Sequence, residues 1–207
     1  DINLGQVSNW LFVDSTAKPT GYRVNGGDNN DVLYFGAGDL DAIQGNVLFI
    51  GADGTDKIFI NDGEHARSVE YQITPTTFTS TSRSDLPERV FAQLSYDHTA
   101  ETVAMLGSEA ANRIRVIPSR TTQFDIDGNT PASGVVPPRL GDSLYLDFTE
   151  VEGQLLTMAS EIPGSGAWQF ANGFRPVNFQ SIERFNEYLM PVQSGRGASS
   201  TSNVKVF

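Results

Sequence analysis

Five aspartates lie in a glycine-rich stretch near the start of the chain, at spacings that could bring their carboxylates together. One motif occurs twice, 25 residues apart: GGDNNDVLY from Gly26 and GADGTDKIF from Gly51. Calcium takes about six to eight oxygen ligands, mostly from carboxylates and carbonyls. The sequence therefore predicts a calcium site whose ligands are drawn from Asp28, Asp31, Asp53, Asp56 and Asp62.

The same aspartates could instead hydrogen-bond the amides of turns. A turn aspartate accepts from N–H groups that have no partner in a strand ladder. If one repeat forms one coil, Asp28 stacks on Asp53 and Asp31 on Asp56, with carboxylates about 4.8 Å apart. Such like charges repel, and amide donors, the nearby Lys57 or calcium would each relieve the repulsion. Amide capping and calcium binding both remain open.

The small residues of the motif predict sharp corners. We expect Gly26, Gly27, Gly51 and Gly54 to adopt positive φ, with Asn29 as the best non-glycine substitute. Short apolar runs between these corners predict strands that are buried on at least one face. The residues predicted to point into the core are Leu33, Phe35, Leu48, Ile50, Ile58, Ile60, Ile114 and Val116.

Strand-like patterns continue along the chain, and no convincing amphipathic helix appears. Weaker copies of the motif begin at Gly107 and Gly141, and Asn172-Gly173 predicts a hairpin turn. The pattern resembles the G-G-x-G-x-D-x-U-x repeat of β-solenoids. We therefore expect an all-β fold of the parallel β-helix or β-solenoid type over residues 1–190, followed by a Ser/Gly-rich linker and terminal strand over residues 191–207.

Composition narrows the classes of function. The formal net charge of −11 disfavours nucleic acid and anionic membranes as partners. The absence of cysteine excludes disulfides and thiolate metal sites. No apolar run reaches the roughly 18 residues that would predict membrane insertion. Because repeats are commonly parts of larger proteins, we expect either a piece of a longer chain or a chain whose signal has been removed.

Catalytic signals are weak, and we expect a non-catalytic protein. His65 and His98 are the only side chains that ionise near neutrality without perturbation, and both fall in polar segments that predict surface turns. No nucleophile elbow, phosphate-binding loop or zinc-protease motif is present. A polysaccharide lyase would be the enzymatic form of a β-helix, with Arg113 and Arg115 projecting from one face of a strand. Solvated arginines that pair with local carboxylates are the simpler interpretation.

Several phrases together resemble repeat regions of very large secreted or surface proteins from planctomycetes and other environmental bacteria. The matching phrases are Gly26–Phe35, Gly38–Gly45, Gly51–Asp62, Phe124–Asp147 and Phe170–Glu183. The resemblance covers most of the chain, and the tract from Thr74 to Arg89 departs from it. It implies a β-solenoid in an extracellular or cell-surface setting.

Two functions follow from these observations. The first is a structural or assembly module, such as a stalk, sheath, surface-layer or filament unit, whose solenoid ends meet neighbouring domains or other copies. The predicted contacts are Trp10–Val13 and Val204–Phe207, because unpaired strand edges invite pairing. The alternative is a carbohydrate-binding or carbohydrate-active module. A row of outward aromatic residues or arginines beside an acidic groove would favour the alternative. A polar, featureless wall with paired open ends would favour the first.

Overall fold

The described part of the chain is built almost entirely from β-strands. The computed structural model describes residues 1–82, 90–129, 141–159 and 164–185, which include no α-helix and a single 3-10 turn, Leu40–Ala42. The strands are β1 (Ile2–Asn3), β2 (Trp10–Val13), β3 (Tyr22–Gly27), β4 (Val32–Phe35), β5 (Val47–Ala52), β6 (Asp56–Asn61), β7 (Val69–Ile73), β8 (Thr77–Ser82), β9 (Val90–Tyr96), β10 (Ala100–Leu106), β11 (Arg113–Val116), β12 (Gln123–Asp127), β13 (Ser143–Leu146), β14 (Leu155–Met158), β15 (Gly166–Gln169), β16 (Val177–Gln180) and β17 (Arg184–Phe185). The expectation of an all-β fold is confirmed.

Successive strands alternate between two sheets. Sheet A has the order β1-β3-β5-β9-β8-β7-β11-β13-β17, and sheet B has the order β14-β15-β16-β12-β10-β6-β4-β2. Neighbours such as β4 and β6 are parallel and keep one register along their length. The chain thus passes from one sheet to the other and returns beside the strand that it left.

Two antiparallel meanders interrupt this alternation. β7, β8 and β9 run antiparallel within sheet A, and β14, β15 and β16 do so within sheet B. The first meander contains the described part of the tract from Thr74 to Arg89, where the sequence leaves the repeat pattern. The predicted pairing of the segments before and after Asn172-Gly173 is confirmed as the antiparallel pair β15–β16. Both sheets are therefore mixed.

The core contains inward-facing residues of both sheets. Within sheet B, Leu33 pairs with Ile58 and Phe35 with Ile60, and all four side chains are buried. The rings of Phe35 in sheet B and Phe78 in sheet A lie 6.4 Å apart, so the two sheets meet directly. Each large apolar side chain removed from water in this way contributes about 1.5–3 kcal/mol.

The predicted core is largely confirmed, with one strand in the opposite orientation. Six of the eight predicted residues are buried, whereas Leu48 is exposed and Ile50 only half-buried. Val47 and Phe49 point inward instead. Since inward residues alternate along a strand, β5 also turns Gly51 inward, and the contacts of that glycine explain the orientation.

The segment between the two main repeats contains a single 3-10 turn, Leu40–Ala42. Leu40 in this turn and Ile43 directly after it are both buried. The predicted linker and terminal strand over residues 191–207, including Val204–Phe207, lie outside the described residues. In the part of the chain that the structure describes, no helix has the length and apolar character needed to cross a membrane.

Candidate functional site

Carboxylates and backbone amides form a continuous row at the starts of four neighbouring sheet B strands, β2, β4, β6 and β10. Asn9 precedes β2, Asp31 precedes β4, Asp56 begins β6, and Glu101 lies at an irregularity near the start of β10. Asp31 Oδ1 accepts a hydrogen bond from Asn9 N at 2.8 Å, and Asp56 Oδ1 accepts one from Asp31 N at 2.7 Å. Glu101 Oε2 accepts one from Asp56 N at 2.6 Å. We call this the sheet B row.

An equivalent row caps the starts of the sheet A strands. Asn112 Oδ1 accepts from Val69 N at 3.1 Å, and Asp142 Oδ1 accepts from Asn112 N at 2.6 Å. Glu183 Oε2 accepts from Asp142 N at 2.6 Å. This sheet A row joins the starts of β7, β11, β13 and β17. As in the sheet B row, each side chain accepts a hydrogen bond from the backbone amide at the start of the preceding strand in the row.

Amide capping is found at Asp31 and Asp56, with donors at the start of the neighbouring strand of the same sheet. Asp31 and Asp56 are fully buried, while Asp28 and Asp53 are exposed on the adjoining turns. Buried and exposed aspartates of the same turn thus have different surroundings. The five predicted calcium ligands are not brought together as one group of oxygen atoms near a common point.

The first glycine of each repeat is required by close packing. A Cβ on Gly26 would lie 2.7 Å from Asp31 Oδ2, and one on Gly51 would lie 2.2 Å from Asp56 Oδ2. Neither glycine has positive φ, so that prediction is wrong for both. The G-x-x-x-x-D spacing pairs each capping carboxylate with a position that tolerates only hydrogen, which also explains why Gly51 faces inward.

Positive φ occurs at the next position of the motif. Gly27 has φ 102°, and its counterpart Ala52 has φ 75°. The predictions for Gly54, φ 132°, and Asn29, φ 77°, are confirmed. Alanine is strained in this conformation because its Cβ approaches the backbone. The second repeat therefore carries a strained residue where the first has glycine.

The two rows hold carboxyl groups whose charge is poorly compensated. Burial raises the pKa of Asp56 to about 6, opposed by the hydrogen bond from Asp31 N and assisted by nearby Glu101. Burial likewise raises the pKa of Asp142 to about 8, with further repulsion from Glu183. In both residues, Oδ2 is buried and has no hydrogen-bond partner.

Asp62, the fifth predicted calcium ligand, belongs to a separate buried network. Its Oδ1 accepts a hydrogen bond from Leu40 N at 2.9 Å, and its Oδ2 accepts one from the Tyr71 hydroxyl at 2.6 Å. The Tyr71 oxygen in turn accepts one from Ser108 N at 3.0 Å. Burial raises the pKa of Asp62, and the Tyr71 hydrogen bond opposes that rise.

His65 lies against this network and is buried, which corrects the prediction of a surface histidine. Its side chain is 8% exposed, with Nδ1 3.6 Å from Asp62 Oδ2 and Nε2 3.9 Å from Asp41 Oδ2. The nearest ligand atoms of Asp39, Asp41 and His65 lie within 4.8 Å of one another. We call these three residues the His65 cluster. In the sequence, only the spacing Asp39-x-Asp41 could have indicated this cluster. The fold, and no local pattern, brings His65 to the two aspartates.

An aromatic stack covers part of the outer face of sheet B. Phe12, Tyr34 and Phe59 occupy paired positions on β2, β4 and β6. The ring centroids of Phe12 and Tyr34 are 4.6 Å apart, and those of Tyr34 and Phe59 are 5.2 Å apart; in both pairs the ring planes are nearly parallel. Phe12 is 59% exposed and Phe59 is 37% exposed. These aromatic residues are therefore not core positions.

A groove with a volume of about 540 Å³ begins where the stack ends. Phe59 forms one side, the small Ala104 on β10 lies beneath, and Asp125 on β12 forms the other side. Asn178 Nδ2 donates to Asp125 Oδ1 at 2.7 Å, and Gln180 Nε2 donates to Asp127 Oδ2 at 2.5 Å. The groove thus has one aromatic wall and one wall of carboxylates and amides.

The two strand arginines pair with carboxylates. Arg113 Nη1 lies 3.8 Å from Glu70 Oε2, and Arg115 Nη2 lies 3.2 Å from Asp147 Oδ2. Both arginines are exposed on β11, in sheet A. They lie in a different sheet from the groove, whose acidic side chains belong to sheet B.

Because of the Asp142 carboxyl group, we expect the stability of the protein to fall as pH rises. Its folded pKa, about 8, exceeds the ordinary value of 3.8, so the folded protein binds more protons than the unfolded chain between these values. This contribution to stability is complete below about pH 4 and is lost as pH rises through about 8. Asp142→Asn keeps the acceptor for Asn112 N and removes the charge. We expect it to raise Tm at pH 8.5 by at least about 2–4 °C, which corresponds to about 1 kcal/mol.

Thermal unfolding from pH 4 to 9 measures this effect, and Asp147→Asn is the matched control. Hydrogen bonds from Thr149 lower the pKa of Asp147, so its stabilisation is present above the ordinary pKa and is lost as pH falls. We expect the control to lower Tm at neutral pH. An Asp142→Asn protein with a lower Tm than wild type at pH 8.5 would contradict the account of an uncompensated charge.

Two adjacent substitutions should act in opposite directions. Gly51→Ala places a methyl group against the Asp56 carboxylate and should destabilise by about 1–3 kcal/mol, as overpacking does. Ala52→Gly removes the Cβ that is strained at positive φ, at an exposed site, and should stabilise the protein by up to about 1 kcal/mol. Urea unfolding of both variants gives the two values. If both variants changed the free energy of unfolding by the same amount and in the same direction, the assignment of Gly51 to close packing and of Ala52 to backbone strain would be wrong.

Comparison with known proteins adds no relative: no family model, curated protein or solved structure matches this chain.

Proposed function

We propose that the chain is a β-solenoid that serves as a non-catalytic structural or assembly module of an extracellular or cell-surface protein. The alternation of strands between two sheets and the in-register parallel pairing of successive rows support the solenoid. The two cap rows support it further, because a side chain at the start of each strand accepts a hydrogen bond from the backbone amide at the start of the neighbouring strand. The resemblance to secreted repeat proteins supports the setting.

The open edge of sheet B carries the proposal of assembly. β2 is the last of the described strands of that sheet, and its sequence, WLFV, contains neither charge nor proline to discourage pairing. Trp10 is 71% exposed and Phe12 is 59% exposed. Phe12 stacks on Tyr34 with one face, which leaves its other face at the edge. A second copy of the chain could bury both aromatic side chains there.

The cap row is also incomplete at this edge. Asp31 and Asp56 each accept a hydrogen bond from the backbone amide at the start of the preceding strand. Asn9 is the first residue of the sheet B row. The Asn9 side-chain amide donates to Leu4 O, Val7 O and Asp31 Oδ1, and its Oδ1 accepts no hydrogen bond from the described residues. We infer that this oxygen is available to an N–H of an additional strand.

A charge at the edge should prevent this assembly. Phe12→Lys places an ammonium group on β2, where pairing with another strand would desolvate it. We expect wild type to form dimers or larger species with increasing concentration and Phe12→Lys to remain monomeric. Analytical ultracentrifugation measures both distributions.

The control is Leu48→Lys, which adds the same charge to an exposed leucine within sheet A, away from either edge. It should associate as wild type does. Leu155→Lys alters the opposite edge strand, β14, and distinguishes head-to-tail association from pairing of two β2 edges. Wild type that stays monomeric, or equal loss of association in Leu48→Lys, would contradict the proposal.

The groove on sheet B favours a second function, the binding of neutral glycans. Phe59 stacks on Tyr34 with one face and borders the groove with the other. Phe59 and Asp125 are two strands apart, so their backbones are about 10 Å apart. This spacing leaves room for a sugar ring that stacks on Phe59 while its hydroxyls donate to Asp125. The acidic wall disfavours uronic acids because like charges repel.

Binding to neutral oligosaccharides should depend on both walls of the groove. Phe59→Ala and Asp125→Ala should each weaken binding at least about tenfold, measured by calorimetry with glycans first identified on an array. Phe12→Ala is the matched control, because it removes the other end of the same aromatic stack. Absence of binding to any neutral glycan, or equal loss in Phe12→Ala, would contradict this function.

A further inference from the structure

We propose that Asp39, Asp41 and His65 bind a divalent transition-metal ion, for which zinc is the reference probe. This site differs from the predicted calcium site in every ligand. It joins two successive turns, because Asp39 and Asp41 lie between β4 and β5 whereas His65 follows β6. The proposal depends on neither the assembly nor the glycan-binding function.

The imidazole of His65 is the observation that points to a ligand. The residue is 7% exposed, and its buried Nδ1 has no hydrogen-bond partner. A buried polar group without a partner is costly. The other ring nitrogen, Nε2, is directed toward the carboxylates and lies 3.9 Å from Asp41 Oδ2. A metal ion between these two atoms would bind Nε2 and leave the proton on Nδ1, which faces Asp62 Oδ2 at 3.6 Å.

The two carboxylates are held with oxygen atoms free for a metal. Asp39 Oδ1 accepts from Asp41 N at 2.8 Å, which fixes the start of the 3-10 turn and leaves Oδ2 for coordination. Leu40, between them, is buried and anchors the turn in the core. The Asp41 side chain is 42% exposed and can rotate. Asp41 is therefore the adjustable ligand of the site.

The second ring nitrogen of His65 faces a carboxylate that is itself held in place. Metal-bound histidines commonly direct the other ring nitrogen at a carboxylate, which fixes the ring and raises its basicity. Here Nδ1 lies 3.6 Å from Asp62 Oδ2. Asp62 is itself held by Leu40 N and by the Tyr71 hydroxyl. Asp62 is thus a positioning residue for the site.

The ligand types select the class of metal. Calcium and magnesium prefer all-oxygen surroundings, whereas an imidazole with carboxylates suits zinc and similar ions. Zinc bonds of about 2.0–2.2 Å place tetrahedral ligands about 3.4 Å apart. The 3.9 Å between Nε2 and Asp41 Oδ2 closes to that value with a small rotation of Asp41. Three protein ligands leave the fourth position to water.

Zinc should stabilise the protein and calcium should not. At a free zinc concentration of about 100 times Kd, we expect Tm to rise by about 5–10 °C, since the ion binds only the folded state. Calorimetry should give one zinc ion per chain. Cobalt(II) should give visible absorption bands of a low-symmetry site. Calcium at the same concentration should leave Tm unchanged.

The variants separate this site from adventitious binding. Asp41→Asn alters an exposed side chain and should fold normally while losing the zinc-dependent rise in Tm. His65→Gln should also lose it, and His98→Gln, which removes the only other histidine, should retain it. Asp62→Asn should weaken zinc binding about 10–100-fold, as positioning residues do.

The proposal is overturned by an absence of zinc binding in wild type, by zinc binding unchanged in Asp41→Asn, or by its loss in His98→Gln. Equal stabilisation by calcium and zinc would also overturn it, because oxygen atoms alone would then account for the site.

Discussion

The structure depends on one kind of hydrogen bond. A side-chain oxygen at the start of one strand accepts it from the backbone amide at the start of the neighbouring strand in the same sheet. A chain that passes from one sheet to the other must interrupt its strand ladders at each corner, which leaves N–H groups without partners. Asp31, Asp56 and Asp142 satisfy these groups from the adjacent row. Each cap therefore joins two rows, and the corner contributes to cohesion between rows as well as to the turn itself.

This arrangement concentrates carboxyl groups in the interior. The caps are short, yet Oδ2 of three of them has no partner. Burial raises the pKa of Asp56 and of Asp142, which disfavours their charged forms. The protein reduces this cost with Asn112, which accepts the amide of Val69 without a charge. The presence of aspartate in some rows and asparagine in another shows that the acceptor oxygen is the common requirement.

Local periodicity made much of the fold predictable. Alternation placed Leu33, Phe35, Ile58 and Ile60 in the core, and the repeat spacing placed Asp31 beside Asp56. The orientation of β5 was missed, because VLFIG is apolar at every position and its alternation cannot be told from composition. What decides it is the contact between Gly51 and Asp56 across a turn.

The candidate sites were harder to predict because they depend on contacts between rows. The sequence places Asp39 and Asp41 together, but nothing local brings His65 to them. Phe12, Tyr34 and Phe59 fall within apolar strands in which inward and outward positions are chemically alike. Only the register of three neighbouring strands shows that these rings form one stack.

The meander β7–β8–β9 has a consequence for the shape of sheet B. Between β5 and β11, sheet A contains three strands and spans about 19 Å, whereas sheet B passes from β6 to β12 through β10 alone and spans about 10 Å. Two packed layers of unequal width favour curvature toward the narrower one, which would make the outer surface of sheet B concave at β10. Ala104 on β10 lies beneath the groove, in agreement with this expectation.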